Sequence, residues 1–363
     1  MHRAFIVLFV LLLSACSGAT NSDHEGAAEN SGAILSPGGH FEFHADPWIS
    51  LHHFLFHAAR ADAREMRLRG RVPLDEGDVA IMTPEIIEAL ELAYTAYAPY
   101  LDGNLLFTPE LRQIAIELAK GGPDAVSDEA VRMALVSIMP AYEQTLWPRH
   151  REASEKLVSK LTGELETYEA PLAERVALYL ESDWPATPIR VDASAYASRS
   201  GAYTDQGPNH ITLSAYDEQI TSHSLEMLFH EASHTTPLGD NLFPMMNIAL
   251  EQTGATDTRS WHYALFYLTG RATGEVLGDA DYIPYSEAVG LSTREGPKDY
   301  YDGLAATWDE AESLQERLTA AAGYAAHGRL RPKTSKPPPV QTPTPPVPLR
   351  PTIFAIAGAP VHT

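Results

Sequence analysis

The sequence predicts an α+β fold that is predominantly helical, with a helical N-terminal half followed by a small antiparallel sheet. Long amphipathic stretches fill residues 46–180, and several have clear start signals. Thr83 and Thr108, for example, are each followed by proline and glutamate, as is typical of a capped helix start. The pattern then changes to alternating apolar and polar residues, which is typical of strands. The segments with this alternation are 188–191, 193–203 and 210–215.

Helices are predicted again after the sheet. The first spans about 222–236 and is closed by Pro237 and Gly239. The others are expected at about 245–252, 259–277 and 301–326. In the first half, the longest predicted helix spans about 149–180, with a break at Pro171.

Composition divides the chain and excludes one class of partner. With 26 Lys and Arg against 48 Asp and Glu, the formal charge is −22, which repels nucleic acid.

Residues 16–40 are rich in small and polar residues and indicate a flexible tether. Residues 329–363 form a proline-rich tail, for which we expect no packed structure. The domain between them, 41–328, divides at about residue 180 into a helical part and a part with the sheet.

The N-terminus predicts export and a lipid anchor. An apolar run from Ala4 to Leu13 is too short to span a bilayer but fits a signal peptide. It ends in Leu-Ser-Ala-Cys16, which resembles a bacterial lipobox. The resemblance implies that residues 1–15 are removed and that Cys16, the only cysteine, is lipidated. Ser17 would then favour the outer membrane of a Gram-negative cell envelope. The alternative is an ordinary signal peptide with an incidental cysteine.

Residues 230–234 read His-Glu-Ala-Ser-His, and this H-E-x-x-H pattern predicts a metal site. On a helix, His230 and His234 lie four residues apart on one face and can bind one ion. Glu231 lies about 100° round the helix and can reach a water molecule beside that ion. Two imidazoles, a water molecule and a carboxylate are the core of a zinc hydrolase site.

A small sheet directly before such a helix resembles the zincin metallopeptidases. The resemblance implies that an edge strand, expected at His210–Tyr216, lies above the helix and holds an extended peptide. The segments LFHEASH and WHYALFY are also similar to those of uncharacterised secreted bacterial proteins regarded as zinc peptidases. The resemblance covers about residues 188–290 and implies a Zn²⁺ cofactor and a peptide or protein substrate.

The third metal ligand has three candidates. Pro237 and Asp240 replace the glycine and histidine of the metzincin extension, so that branch is excluded. His262 is the preferred ligand, because it begins a helix rich in aromatic and small residues that is expected to pack in the core. Glu275 and Glu251 are the alternatives. In the alternative interpretation, His262 is not a ligand but a buried imidazole with a hydrogen-bond partner in the core.

Two tyrosines are the leading candidates to stabilise an oxyanion, which a zinc hydrolase also requires. They are Tyr282 and Tyr285, in the segment ADYIPYSEAVGL. Less favoured candidates are Tyr263, His223 and Arg271. Because the chain has 16 tyrosines, a structural role for any one of them is the alternative.

A second histidine cluster precedes the motif. His53 and His57 lie four residues apart, and His52 is adjacent. Large apolar residues surround them, so we expect core or supporting roles instead of an independent metal site.

Together these patterns predict a zinc-dependent hydrolase, most simply a peptidase, anchored by lipid in the bacterial cell envelope. The first alternative is a zinc-binding envelope lipoprotein that keeps the scaffold without catalysis. Another is hydrolysis of a non-peptide amide or ester, which would use the same metal-binding motif.

Overall fold

The computed structural model describes residues 32–62, 75–198, 200–205 and 207–328. The described residues belong to one compact unit that ends at Gly328. The expected signal peptide, Cys16 and the proline-rich tail lie outside the described residues. None of the described helices is both long enough and apolar enough to cross a membrane.

Five short strands are present in the described residues. They are β1 (Ile34–Leu35), β2 (Phe41–His44), β3 (Ile189–Ser194), β4 (Ala202–Asp205) and β5 (His210–Ser214). The helices before β3 are α1 (Pro47–Asp62), α2 (Glu76–Ile81), α3 (Pro84–Tyr97), α4 (Pro109–Gly121), α5 (Glu129–Thr145) and α6 (Trp147–Leu180). Those after β5 are α7 (Glu218–Ser222), α8 (Ser224–Ala232), α9 (Leu242–Thr253), α10 (Ser260–Leu277), α11 (Tyr285–Ala288), α12 (Pro297–Thr307) and α13 (Leu314–His327).

The sheet is mixed, and the prediction of an antiparallel sheet was wrong. Its strand order is β1-β2-β3-β5-β4, with β3 parallel to both neighbours and each edge strand antiparallel to the strand beside it. The connection from β2 to β3 contains α1 to α6, and a helical crossover of that kind allows parallel pairing. Sequence alternation cannot reveal such pairing across about 145 residues of intervening chain.

The edge strand beside the motif helix is β4. The strand expected there, His210–Tyr216, forms β5 in the interior of the sheet. Because β4 pairs antiparallel with β5 on the side away from β3, the earlier segment takes the edge. The edge position was therefore assigned to the wrong arm of the hairpin.

The last part of the expected tether is ordered. Ser36 Oγ donates to Glu169 Oε1 over 2.5 Å, and the Gly38 and His40 backbone nitrogens donate to the same carboxylate. Glu169 is buried on α6, so this cluster fixes the chain that leads into β2. The packed domain consequently begins before residue 41, at β1.

Two hydrophobic clusters form the core. One is built mainly from α1, α3, α4 and α5, and the other contains the sheet, α6 and the helices after it. Helix α6 continues through Pro171, because Leu172 and Val176 extend its buried stripe beyond the proline. The expected break is absent, and α6 packs with the sheet and not only with the N-terminal helices.

Two other helices differ from the sequence expectation. The segment predicted as one helix over 301–326 forms α12 and α13, because Ser313 caps a new helix in a capping box with Glu316. The motif helix α8 is shorter than 222–236: it begins at Ser224 and ends at Ala232, where i to i+3 hydrogen bonds tighten its last turn.

A buried histidine on β5 lies between aspartates of the two neighbouring strands, β3 and β4. His210 Nε2 bonds Asp192 Oδ2 over 2.8 Å, and its Nδ1 lies 3.6 Å from Asp205 Oδ2. All three side chains are almost fully buried. Burial lowers the pKa of His210, but hydrogen bonds and charge from both aspartates outweigh that effect and raise it to about 9. His210 is therefore a cation held between two buried carboxylates.

We expect this cation to make stability depend on pH. Because the pKa rises from 6.5 in the unfolded chain to about 9 in the fold, the contribution is complete below pH 6.5 and is lost as pH rises through 9. It amounts to on the order of 2–3 kcal/mol. Urea unfolding of the wild type should show this fall between pH 6.5 and 9.5, and His210→Gln should not. His44→Gln, a substitution on β2, is the control; an unchanged slope in His210→Gln would contradict the prediction.

Candidate metal centre

Helix α8 supplies the first two residues of the site from a fully buried position. All nine of its residues are buried, between the sheet, α6 and α10. His230 and Glu231 lie in its last turn, and His234 follows just beyond its end. The tight final turn, in which His234 N donates to Glu231 O over 3.0 Å, keeps His234 close to the face of His230.

Helix α10 brings a third imidazole to the same point. His262 lies in its first turn, and its Nε2 is 3.2 Å from His230 Nε2. His234 Nε2 is 3.4 Å from the same atom, and the three donor nitrogens all lie within 4.8 Å of one another. A tetrahedral zinc ion with bonds of about 2.05 Å separates neighbouring nitrogens by about 3.3 Å. The two shorter separations match that value.

The chemistry of the three imidazoles fits a metal ion. Burial, with a contribution from the neighbouring imidazoles, lowers the pKa of His230 far below its usual range and that of His234 to about 3. Burial lowers the pKa of His262 to about 4. Neutral imidazole is the form that binds metal. Three neutral imidazole nitrogens within 4.8 Å of one another form a donor set of the kind that binds Zn²⁺.

Glu231 follows His230 in the last turn of α8, and its side chain is held by a threonine on the edge strand. Its Oε2 is 2.7 Å from Thr204 Oγ1, which also lies 2.8 Å from the Glu231 backbone oxygen. The hydroxyl therefore shares its proton between these two acceptors. Burial raises the pKa of Glu231 to about 7. Thr204 was not identified from the sequence, because a threonine in a strand carries no signal of its own.

An aromatic stack supports His230 from the side of α10. The Phe266 ring lies parallel to the His230 ring, with centroids 3.8 Å apart and an interplanar angle of 15°. Tyr285 stacks on Phe266 with ring centroids 5.7 Å apart, and His223 meets Tyr285 edge-on. The stack fixes the His230 ring by packing, since His230 Nδ1 has no hydrogen-bond partner among the described residues.

The two candidate tyrosines have different surroundings. Tyr282 donates its hydroxyl to Glu226 Oε2 over 2.5 Å, and the Tyr285 backbone nitrogen donates to the same oxygen. Burial raises the pKa of Glu226 to about 7. Burial also raises the pKa of Tyr285 to about 12, with contributions from Asp217 and Glu231. Tyr282 thus anchors the segment, whereas the Tyr285 phenol lies within electrostatic reach of Glu231.

Glu226 was also not identified as a site residue from the sequence. It lies one helical turn before His230, on the motif helix itself, and it is fully buried. A carboxylate on an otherwise apolar helix face was the available signal. Gly270 permits the contact between α8 and α10 here, because a Cβ at that position would lie 3.0 Å from Glu226 Oε1 and 2.7 Å from Pro284.

The two alternative ligands, Glu275 and Glu251, do not lie with the three imidazoles. Glu275 pairs with Arg175 and Arg271 and accepts the Tyr179 hydroxyl, so its oxygens are committed to that cluster. Glu251 is exposed on α9. Neither belongs to the group of donor atoms around His230.

The less favoured oxyanion candidates also have other partners. Tyr263 donates to Asp257, and Arg271 bonds Glu275 and Asp309. His223 contacts Tyr285 with its ring.

The earlier histidine cluster is buried and hydrogen-bonded within the protein. His52 bonds the Tyr97 hydroxyl, and His57 Nε2 bonds the Ala197 carbonyl. His53 bridges the Ile49 carbonyl and the hydroxyl of Tyr203 on β4. Burial lowers the pKa of both His53 and His57 to about 4. These contacts are consistent with core roles, and His53 links α1 to the strand that carries Thr204.

Comparisons with known proteins add no relative. No family model, no curated protein and no solved structure matches this chain.

Substitution of each candidate in turn should show which of His262, Glu275 and Glu251 is the third metal ligand. We expect His262→Ala to weaken zinc binding by more than about a hundredfold, because loss of even a supporting partner of a ligand costs 10–100-fold. Glu275→Gln and Glu251→Gln should bind zinc as the wild type does. Zinc content after dialysis against a graded chelator measures the difference. Stoichiometric zinc in His262→Ala would exclude it as a ligand.

Proposed function

We propose that this protein is a zinc-dependent hydrolase, most simply a peptidase. The observation that carries the proposal is the convergence of three neutral imidazole nitrogens beside a buried carboxylate. His230, His234 and His262 would hold the ion, which leaves a coordination position free for catalysis. Zinc bound there supplies Lewis acidity, which acidifies water and polarises a carbonyl group.

Glu231 is the proton carrier of the proposed reaction. Its pKa of about 7 lets the carboxylate accept a proton from the attacking water and return it to the leaving amine. The Thr204 hydroxyl bonds Oε2, which restricts the orientation of the carboxylate and leaves Oε1 without a bond to Thr204. Together these two residues provide general acid–base catalysis in a site largely closed to solvent.

Tyr285 is the better placed of the two tyrosines to donate to the oxyanion. Its raised pKa keeps the phenol protonated at neutral pH, as a hydrogen-bond donor must be. The Glu226 carboxylate holds the backbone at Tyr285, and the Phe266 ring supports its side chain. Tyr282, whose hydroxyl already donates to Glu226, would act as a support.

The architecture around the motif supports the zincin resemblance. A mixed sheet with an antiparallel edge strand lies against α8, and that edge strand contributes Thr204 to the carboxylate. The lipobox resemblance extends the proposal to location. We infer a lipid-anchored enzyme of the bacterial cell envelope that acts on a peptide or protein substrate there.

One observation favours the second candidate function, a zinc-binding lipoprotein without catalytic activity. Glu231 is only 6% exposed and His230 only 1%. A structural zinc site is closed to substrate in the same way. A variant that separates zinc binding from catalysis distinguishes the two functions.

Glu231→Gln is that variant. It removes the proton acceptor but keeps the shape of the side chain and its contact with Thr204. Zinc content should be unchanged, and hydrolysis of a fluorogenic peptide mixture should fall about a thousandfold. Wild-type protein that binds one zinc ion but cleaves no peptide or ester in the mixture would favour the non-catalytic function.

Thr204→Val tests the orienting contact. Loss of the hydroxyl leaves Glu231 Oε2 without its donor, so kcat should fall about tenfold while zinc content stays the same. Thr269→Val is the matched control, because it is a buried threonine on α10 whose hydroxyl donates to the Leu265 carbonyl, away from Glu231. Equal losses in both variants would show that the effect is one of general stability.

A further inference from the structure

The outer edge of β4 is already occupied within the protein. Ser214 N donates to Gly201 O, which fixes the register with β5 and directs the backbone groups of Ala202 and Thr204 away from β5. The Ala202 carbonyl accepts the Ser198 hydroxyl, and the Thr204 carbonyl accepts Arg112 Nη2 at 3.2 Å. Both outward carbonyls are therefore taken, and all four residues of β4 are buried.

The guanidinium on this edge is firmly held. Arg112, on α4, also bonds Asp205 through Nε over 2.6 Å, and Asp205 is fully buried. A peptide that added to β4 as a further strand would have to displace this ion pair. Main-chain pairing with β4, which the zincin resemblance implies, is thus blocked by the helical half of the protein.

The exposure of the proposed metal site is confined to two of its three histidines. His230 and Glu231 are buried, whereas His234 and His262 are partly exposed. Trp261 packs against both partly exposed histidines, with its ring centroid 5.6 Å from His234 and 5.1 Å from His262. A molecule that binds at these two histidines therefore lies close to this indole.

An apolar surface begins at that indole. The Phe243 ring meets Trp261 edge-on at 6.1 Å, and Phe243 is 50% exposed. We call these two residues the aromatic shelf. An exposed phenylalanine retains apolar area that a ligand can cover, and aromatic pairs favour a third ring in edge or offset contact. The shelf is continuous with the rings of two proposed ligands, so its occupant is part of the molecule whose carbonyl reaches the metal.

We propose that the substrate is recognised by an apolar, preferably aromatic, side chain that packs on the aromatic shelf, and not by strand addition to β4. This inference rests on the proposed function. It defines the substrate class as a short or terminal peptide segment with an apolar side chain next to the bond that is cleaved. Binding energy comes from side-chain burial at Phe243 and Trp261.

Binding of two metal-chelating probes tests the inference without a known substrate. Acetohydroxamic acid and N-hydroxy-3-phenylpropanamide have the same chelating group, and only the second has a ring. Isothermal titration calorimetry of the zinc-loaded protein should show that the phenyl compound binds about tenfold more tightly or better, which burial of a ring produces. The methyl compound reports on the metal centre alone.

Substitutions test whether the difference in affinity between the two probes comes from the aromatic shelf. Phe243→Ala should reduce the ratio between the two affinities to about threefold or less. Ile248→Ala, at a residue that is 45% exposed on the same helix but about 140° away round its axis, should leave the ratio unchanged. Trp261→Phe keeps a ring at the second position and should preserve most of the ratio. Zinc content is measured in each variant, because Trp261 contacts two ligands.

The outcomes separate this inference from the proposed function. If neither probe binds the zinc-loaded wild type, the proposed open metal site fails, and the shelf inference fails with it. If both probes bind equally well, or if Phe243→Ala keeps the full ratio, the shelf inference is overturned and the proposed hydrolase remains. A tenfold ratio that is lost only in Phe243→Ala supports the shelf.

Discussion

The packing of α8 against α10 is the constraint on which the site depends. His230 and His262 meet near one end of this contact, whereas Glu226 and Gly270 meet farther along it, so the two helices run in opposite directions. Phe266 fills the space between these points and stacks on His230. Because both helices are buried along most of their length, a small shift between them would separate the donor nitrogens. The core therefore sets the relative positions of the three imidazoles.

Buried polar groups then connect this helix pair to the rest of the protein. Thr204 on β4 bonds Glu231, and Tyr203 beside it bonds His53 on α1. Each buried group needs a partner, because an unpaired one costs about 1–3 kcal/mol. The strand that orients the carboxylate is thus itself positioned by the helical half. Residues 41–180 contribute to the site although none of the proposed ligands lies within them.

The sequence predicted those features that depend on local pattern. The helix start after Thr83 follows from a side-chain cap, the start at Pro109 from the proline at the first helical position, and the predominance of helix and the position of the motif on a helix from periodicity. Features that depend on distant pairing could not be predicted in this way. Three such features are the parallel pairing of β3, the edge position of β4 and the contact of Thr204 with Glu231. Each joins segments that are far apart in the chain, and hydrophobic periodicity does not show which segments lie together. His262 was selected for its aromatic, core-forming helix, and it lies in the group of three imidazoles.

The same distant contacts change how the motif itself is interpreted. H-E-x-x-H predicts metal chemistry, and the zincin resemblance adds an extended peptide along an edge strand. Here Arg112 donates to the Thr204 carbonyl and pairs with Asp205, so a residue of the helical half occupies that edge. The partly exposed ligands face Trp261 instead. In the proposed hydrolase, His230, His234, His262 and Glu231 would therefore keep the roles that the motif predicts, while the surface beside Trp261, and not the edge strand, would select the substrate.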